Sequence, residues 1–259
     1  MLDSFSRLLS FEALPESVRV VPLAALIVIA ALLGVGFVRG PYQPARWGRI
    51  PKAFELPQSF ILIGVAAVIW LTAGQNTPLA GMALCFLIGM VFGWLGDLFM
   101  ANVFKQKDHV LFGMGAFAVG HIFYMLAFAQ IAGPFSYGRA EAYLFGLLAT
   151  EGVAVVLWRV LVYRLDGDKL QYAALGYGVF LAAMAGFALA IALHEPLFLA
   201  LAAGAGLFLL SDTLLAADLF AQRRFPFMGD VIWGTYIAAQ ALIVCSGSVA
   251  LSLLSSNLS

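Results

Sequence analysis

Eight stretches of about 18 to 25 apolar residues, divided by short polar breaks, leave this chain few ways to fold. In hydrocarbon every backbone N–H and C=O needs an internal partner, so only helices or closed barrels can span a bilayer. A barrel would show short segments of alternating polarity, and these runs do not alternate. Composition agrees. Hydrophobic residues make up 63% and charged residues 11%, and mean hydropathy is +0.98, whereas a soluble domain carries roughly 25% charged residues. The expected fold is all-α: a polytopic integral membrane protein, an eight-transmembrane-helix bundle forming one transmembrane domain over 1–259. Its spans are expected near 20–38, 57–74, 79–101, 109–132, 142–163, 170–192, 196–220 and 229–254.

The formal net charge is zero, which gives a nucleic-acid partner nothing to grip; the partner implied is the lipid bilayer. Cys85 and Cys245 fall inside apolar runs and read as packing residues. Asp3, Glu12 and Glu16 interrupt the first residues, unlike a cleavable signal peptide. Leu2, Phe5, Leu8 and Leu9 share one helical face there, as in a short amphipathic helix on the membrane surface. Eleven basic residues, among them Arg39, Arg46, Arg49, Lys52, Lys105, Lys107, Arg223 and Arg224, sit at one set of span ends. Arg7, Arg19 and Arg139 sit at the other. The positive-inside rule places the eleven in the cytoplasm and both termini outside. The expected location is a bacterial inner membrane.

Polar groups inside the spans are the informative ones. All four lysines fall in loops, so no span offers a Schiff-base lysine for retinal. Asp97, Glu151, Asp212 and Asp218 do enter spans, and a mid-membrane charge costs roughly 2.5–3.5 kcal/mol on the insertion scale, which makes such residues functional candidates. At about 1.5 Å per residue, Asp97 lies roughly 6 Å from the basic end, Tyr177 and Tyr236 roughly 10 Å, and Asp212 roughly 12 Å. Gln240 lies roughly 16 Å in, and His121 and Glu151 roughly 18 Å. These side chains occupy one layer, the half nearer the basic loops, and read as a cavity opening toward the cytoplasm.

Helical spacing sharpens the group. Phe117, His121 and Tyr124 share one face of span 4, and Trp233, Tyr236 and Gln240 one face of span 8. Gly89 and Gly93 allow a close helix approach beside Asp97. Asp218 reads as an ion pair with Arg223 or Arg224, and Asp230 as the N-terminal cap of span 8. The three histidines lie on separate segments with no zinc-ligand spacing, and no nucleophile elbow or phosphate-cradling loop occurs. No metal or cofactor is expected.

Four motifs in order, LGDLFM around Asp97, GMGAFAVGHIFY from Gly113 to Tyr124, SDTLLAADLF at Ser211–Asp212 and YIAAQALI from Tyr236, resemble the YhhN membrane-protein family, which includes lysoplasmalogenases. The likeness covers roughly residues 50 to 250. One departure is the start of span 2, which reads IPKAFELP around Lys52 instead of a Lys-Pro-Leu-like sequence. The resemblance implies a hydrolase that cleaves the vinyl ether bond of a lysoplasmalogen, a lysophospholipid, to a fatty aldehyde and glycerophospho-ethanolamine or -choline. Asp97 and Asp212 would be the catalytic pair, with His121, Tyr124, Ser211, Tyr236 and Gln240 around them; Glu151 and Tyr177 join these from their depth alone.

Such a reaction starts with proton transfer to the β-carbon and continues with water capturing an oxocarbenium ion. Two carboxyl groups, one protonated and one ionised, suffice, as in glycosidases. Which aspartate is which stays open; the shallower Asp97, nearer water, is the one expected to activate it. The lipid chain is expected to reach into the apolar outer half. The competing class is a proton-coupled small-molecule or lipid transporter, since buried Asp, Glu and His also form proton relays. A non-catalytic lipid-binding protein is a third.

Overall fold

The computed structural model describes residues 2–133, 140–165, 167 and 169–258. Arg139 lies outside them, as do the side chains of Leu2 and Phe5 on the N-terminal helix. Nine α-helices form among the described residues: α1 Leu2–Ser10, α2 Glu16–Arg39, α3 Lys52–Ile69, α4 Ala80–Met100, α5 His109–Ala132, α6 Ala140–Leu157, α7 Leu170–His194, α8 Leu199–Leu219 and α9 Met228–Leu258. All but α1 are long and apolar enough to cross a membrane, so the protein is a multi-pass helical bundle. The first two spans begin earlier than the apolar runs suggest, at Glu16 and Lys52. A charged residue in a first helical turn stays near water and does not break the helix.

Two helices end in a π turn. Gln75 N–H donates to the Trp70 carbonyl at the end of α3, and Tyr163 N–H to the Trp158 carbonyl at the end of α6, each reaching back five residues. The second of these turns borders the apolar cavity described below.

Association of helices in lipid rests on close packing and interhelical polar contacts more than on hydrophobic force. The expected close approach of α4 is present, and glycine supplies it. A Cβ on Gly89 would stand 2.4 Å from the Tyr124 ring, and one on Gly120 3.1 Å from the Gly89 carbonyl oxygen. The α6–α7 contact is tighter still. A Cβ on Gly146 would fall 2.4 Å from the Gly186 carbonyl oxygen, and one on Gly186 2.7 Å from that of Gly146. Here, too, Thr150 on α6 donates 2.8 Å to the Ala182 carbonyl of α7. Helix α9 is the central post, with Ala239, Ile243, Val244, Cys245, Val249 and Ala250 all buried. Helices α2 and α6 are peripheral and present exposed apolar faces such as Ile27, Val28, Phe145 and Leu148 to lipid.

The two ends of the bundle differ. At the end away from the basic loops, Phe86, Phe128, Ile131, Phe198, Leu201 and Ile243 pack into a dense core. Helix α1 docks over this end against α8 and α9, burying Leu8, Phe11 and Leu14. At the basic end, the 40–51 segment folds into a strap. Gln43 N–H bonds the Gly48 carbonyl at 2.8 Å, with Trp47 turning at φ 49°. The carboxylate of Asp230 accepts from Arg49 N–H and Ile50 N–H, all at 2.8 Å. Asp230, in the first turn of α9, therefore anchors this strap; its side chain ties a distant loop instead of capping its own helix. Gly40 and Gly229 make the fit possible, since a Cβ on either would stand about 2 Å from a strap carbonyl (2.0 and 2.2 Å).

Candidate active site

Between the strap and the mid-plane of the bundle lies a cavity of about 360 Å³. Asp97 of α4, Ser211 and Asp212 of α8 and Tyr236 of α9 line its deep part, and Arg46, Lys52, Glu55, His109 and Asp218 its mouth. A second, apolar cavity of about 100 Å³ adjoins it between α5, α6, α7 and α8. The two share Met100, Val110, Phe117, Asp212, Leu215 and Leu219, so Asp212 stands at their junction.

Each aspartate ends a chain of donors. Tyr124 O–H donates 2.6 Å to Gln240 Oε1, Gln240 Nε2 donates 3.2 Å to the Tyr236 oxygen, and Tyr236 O–H donates 3.0 Å to Asp97 Oδ2. Tyr124, Gln240, Tyr236 and Asp97 are all buried, at 1%, 1%, 5% and 6% exposure. The second chain runs through Tyr177, whose O–H bonds Asp212 Oδ2 and whose oxygen lies 3.2 Å from His121 Nε2. Since the phenol gives its proton to the carboxylate, it can only accept from the ring, which assigns the proton to Nε2. Consistent with this, buried His121 Nδ1 has no partner. Both chains start on α5, one turn apart, and every donor points toward a carboxylate. Aligned bonds of this kind polarise one another.

The aromatic rings fix these positions. Phe208 packs edge-on to both His121 (4.8 Å) and Tyr236 (5.3 Å), and Phe117 edge-on to Tyr236 (5.9 Å). Glycine again makes the room: a Cβ on Gly93 would lie 2.7 Å from Gln240 Nε2, and one on Gly96 2.7 Å from the Phe117 ring. Ser211 donates 2.9 Å to the Ile232 carbonyl and so ties α8 to α9 beside the aspartates.

Of the residues singled out in the sequence, Asp97, His121, Tyr124, Tyr177, Ser211, Asp212, Tyr236 and Gln240 converge here. Glu151 does not. It lies partly exposed on peripheral α6 and lines neither cavity. Asp218 pairs with Arg224 at the rim. The sequence reading missed the contribution of α3. Glu55 pairs with Arg46 at 2.5 Å, Gln58 accepts from Trp233 Nε1 at 3.2 Å, and buried Ser59, whose hydroxyl donates 3.3 Å to the Leu56 carbonyl, stands beside Asp97. Lys52 Nζ reaches the Ala101 carbonyl at 2.7 Å and so closes the end of α4. The signal was present: Glu55, Gln58 and Ser59 are spaced i, i+3, i+4 on one helical face.

The YhhN family model matches residues 57–247, which takes in α3 to α9 and both carboxylates. The chain belongs to the YhhN family. Among curated proteins, this YhhN chain is 32% identical over 167 residues to lysoplasmalogenase TMEM86A of Bos taurus, and 30% identical over 167 residues to that of Homo sapiens. Each match covers 61% of the YhhN chain and 63% of the relative, so the likeness spans less than two thirds of those proteins. No solved structure gives a significant match.

Proposed function

We propose that this protein is a lysoplasmalogenase-type hydrolase. The observation that carries the reading is the place of Asp212, where a polar cavity also holding Asp97 meets an apolar one. A vinyl ether is the point in a lysoplasmalogen where hydrocarbon meets polar head, so the bond has the same two-sided environment as Asp212. The names of the curated relatives support the same activity.

The roles follow from chemistry. The carbon to be protonated lies on the chain side of the ether, and Asp212 is the carboxyl that faces that side. Asp212 in its acid form gives its proton to this β-carbon, and the double-bond electrons leave the adjacent carbon as an oxocarbenium ion. Water in the polar cavity attacks that carbon while Asp97 takes its proton, forming a hemiacetal. The carbon–oxygen bond to glycerol then breaks. The glycerol oxygen takes the proton held by Asp97, the hemiacetal hydroxyl returns one to Asp212, and the aldehyde departs with both carboxyls restored. Tyr236 and Tyr177 hold one oxygen of each carboxylate, leaving the other for the reacting atoms. Basic residues at the mouth, Arg46 and Lys52, suit a phosphate, and the positive-inside rule supports a cytoplasmic basic end with both termini outside. A transporter needs a polar path to the far face, whereas buried apolar residues fill that half.

Aldehyde release from purified protein, alkenyl-lysophosphatidylethanolamine and a chelator tests the reading. Wild type releases aldehyde, and Asp97→Asn and Asp212→Asn each lose it by about 10³-fold or more while eluting as folded protein. Substantial turnover in both variants would overturn the proposed roles.

A further inference from the structure

We propose that the apolar cavity beside Asp212 is the site that grips the hydrocarbon chain of the substrate and sets its chain-length preference. This rests on the reading above for the identity of the substrate. It also corrects the sequence-based expectation that the chain enters the far half of the bundle. That half is filled by Phe86, Phe128, Phe198, Leu201 and Ile243, each buried. The open apolar space lies sideways instead, at the depth of the aspartates.

Three features shape it for a chain. Its walls use small residues where the helices face it: Ala154 on α6, Ala174 and Gly178 on α7, Thr213 and Ala216 on α8. A Cβ on Gly178 would meet no atom within 4 Å, so this wall is open rather than packed. The π turn at Trp158–Val162, which continues α6, adds Trp158, Leu161 and Val162 to the lining, and Trp158 is fixed by its Nε1–H bond to the Gln171 carbonyl at 2.7 Å. Finally, the cavity sits against peripheral α6, whose outward face carries exposed Val153 and Val156, with exposed Val160 in the π turn beyond it. The chain therefore lies beside the bilayer it comes from. The occupant is the methylene segment next to the vinyl ether, because Asp212, the one acidic group among the described residues that line the cavity, marks where the reacting carbons must be.

Gly178→Leu places a branched side chain in this space. Gly176→Leu, on the exposed face of the same helix and outside the cavity, is the matched control. Activity is read as the ratio of kcat/KM for hexadecenyl and butenyl lysophosphatidylethanolamine. The expected result is a fall in that ratio of about 10-fold or more in Gly178→Leu and none in Gly176→Leu. A ratio unchanged in Gly178→Leu overturns the proposal. Occupancy is read separately from turnover, in a protein keeping Trp158 as its one tryptophan. A lysophospholipid brominated near the head of its chain should quench Trp158, and Gly178→Leu should remove that quenching. Equal quenching in both proteins overturns the groove even if aldehyde is released. If wild type releases no aldehyde but Gly178→Leu still abolishes quenching, the hydrolase reading fails and the chain site stands.

Discussion

Exchanging Tyr236 for phenylalanine removes one oxygen from the middle of the longer donor chain. The ring stays, with its contacts to Trp233 at 5.2 Å, Phe208 at 5.3 Å and Phe117 at 5.9 Å. What is lost is the 3.0 Å bond to Asp97 and the acceptor for Gln240 Nε2. A hydrogen bond to a charged group contributes about 1.5–3 kcal/mol. If Asp97 needs that bond to keep its free oxygen toward water in the transition state, each 1.36 kcal/mol is tenfold in rate, so kcat falls about 10- to 100-fold. The effect on folding is smaller. Polar contacts between transmembrane helices average about 0.6 kcal/mol, and Gln240 keeps its bond from Tyr124. The assay is initial aldehyde release at saturating lysoplasmalogen, with thermal unfolding in the same detergent. A kcat within about twofold of wild type would refute the role of the chain. A rate loss matched by collapse of the unfolding temperature would assign Tyr236 to packing alone.

Three further outcomes follow from the geometry. Glu151→Gln should leave kcat/KM within about twofold of wild type, since Glu151 lines neither cavity; a large loss would bring α6 into the chemistry. Asp230→Ala should lower the unfolding temperature by stranding the Arg49 and Ile50 N–H groups, each costing about 1–3 kcal/mol, while Asp230→Asn recovers part of the loss. An unchanged melt in Asp230→Ala would mean the strap contributes nothing. Gly146→Leu should prevent α6 from seating on α7, because the added carbon meets the Gly186 carbonyl; normal yield and melting would contradict that contact.

The spans were legible because a lipid environment forces long apolar runs, and the aspartates because charge in such a run is costly. Periodicity also found the right faces, placing His121 with Tyr124 and Tyr236 with Gln240. It could not say what each face meets. The bond from Tyr124 to Gln240 joins residues 116 apart in sequence, and spacing within one helix holds no information about its neighbour. For the same reason Asp230 read as a cap: its place in a first turn was visible, but the strap 180 residues earlier was not. Glu151 shows the opposite error, since depth put it in the right layer and only the packing of α6 put it outside the site. Glu55 escaped because the expected span 2 starts at 57, after it, although the helix starts at Lys52; Gln58 and Ser59 lie in the first turn of that span, where polar side chains ordinarily face water.

The glycine contacts bear on how the bundle can move. Where Gly89 meets Gly120 and Gly146 meets Gly186, backbone lies against backbone, and no rotamer change can loosen such a junction. Helices α4 and α5 therefore travel as one rod, and α6 and α7 as another. The seam between the rods holds Met114 and Phe117 on one side and Leu157 and Gly178 on the other, all walls of the apolar cavity. Any breathing of the protein wide enough to admit a lipid should open along that seam, without unzipping either pair.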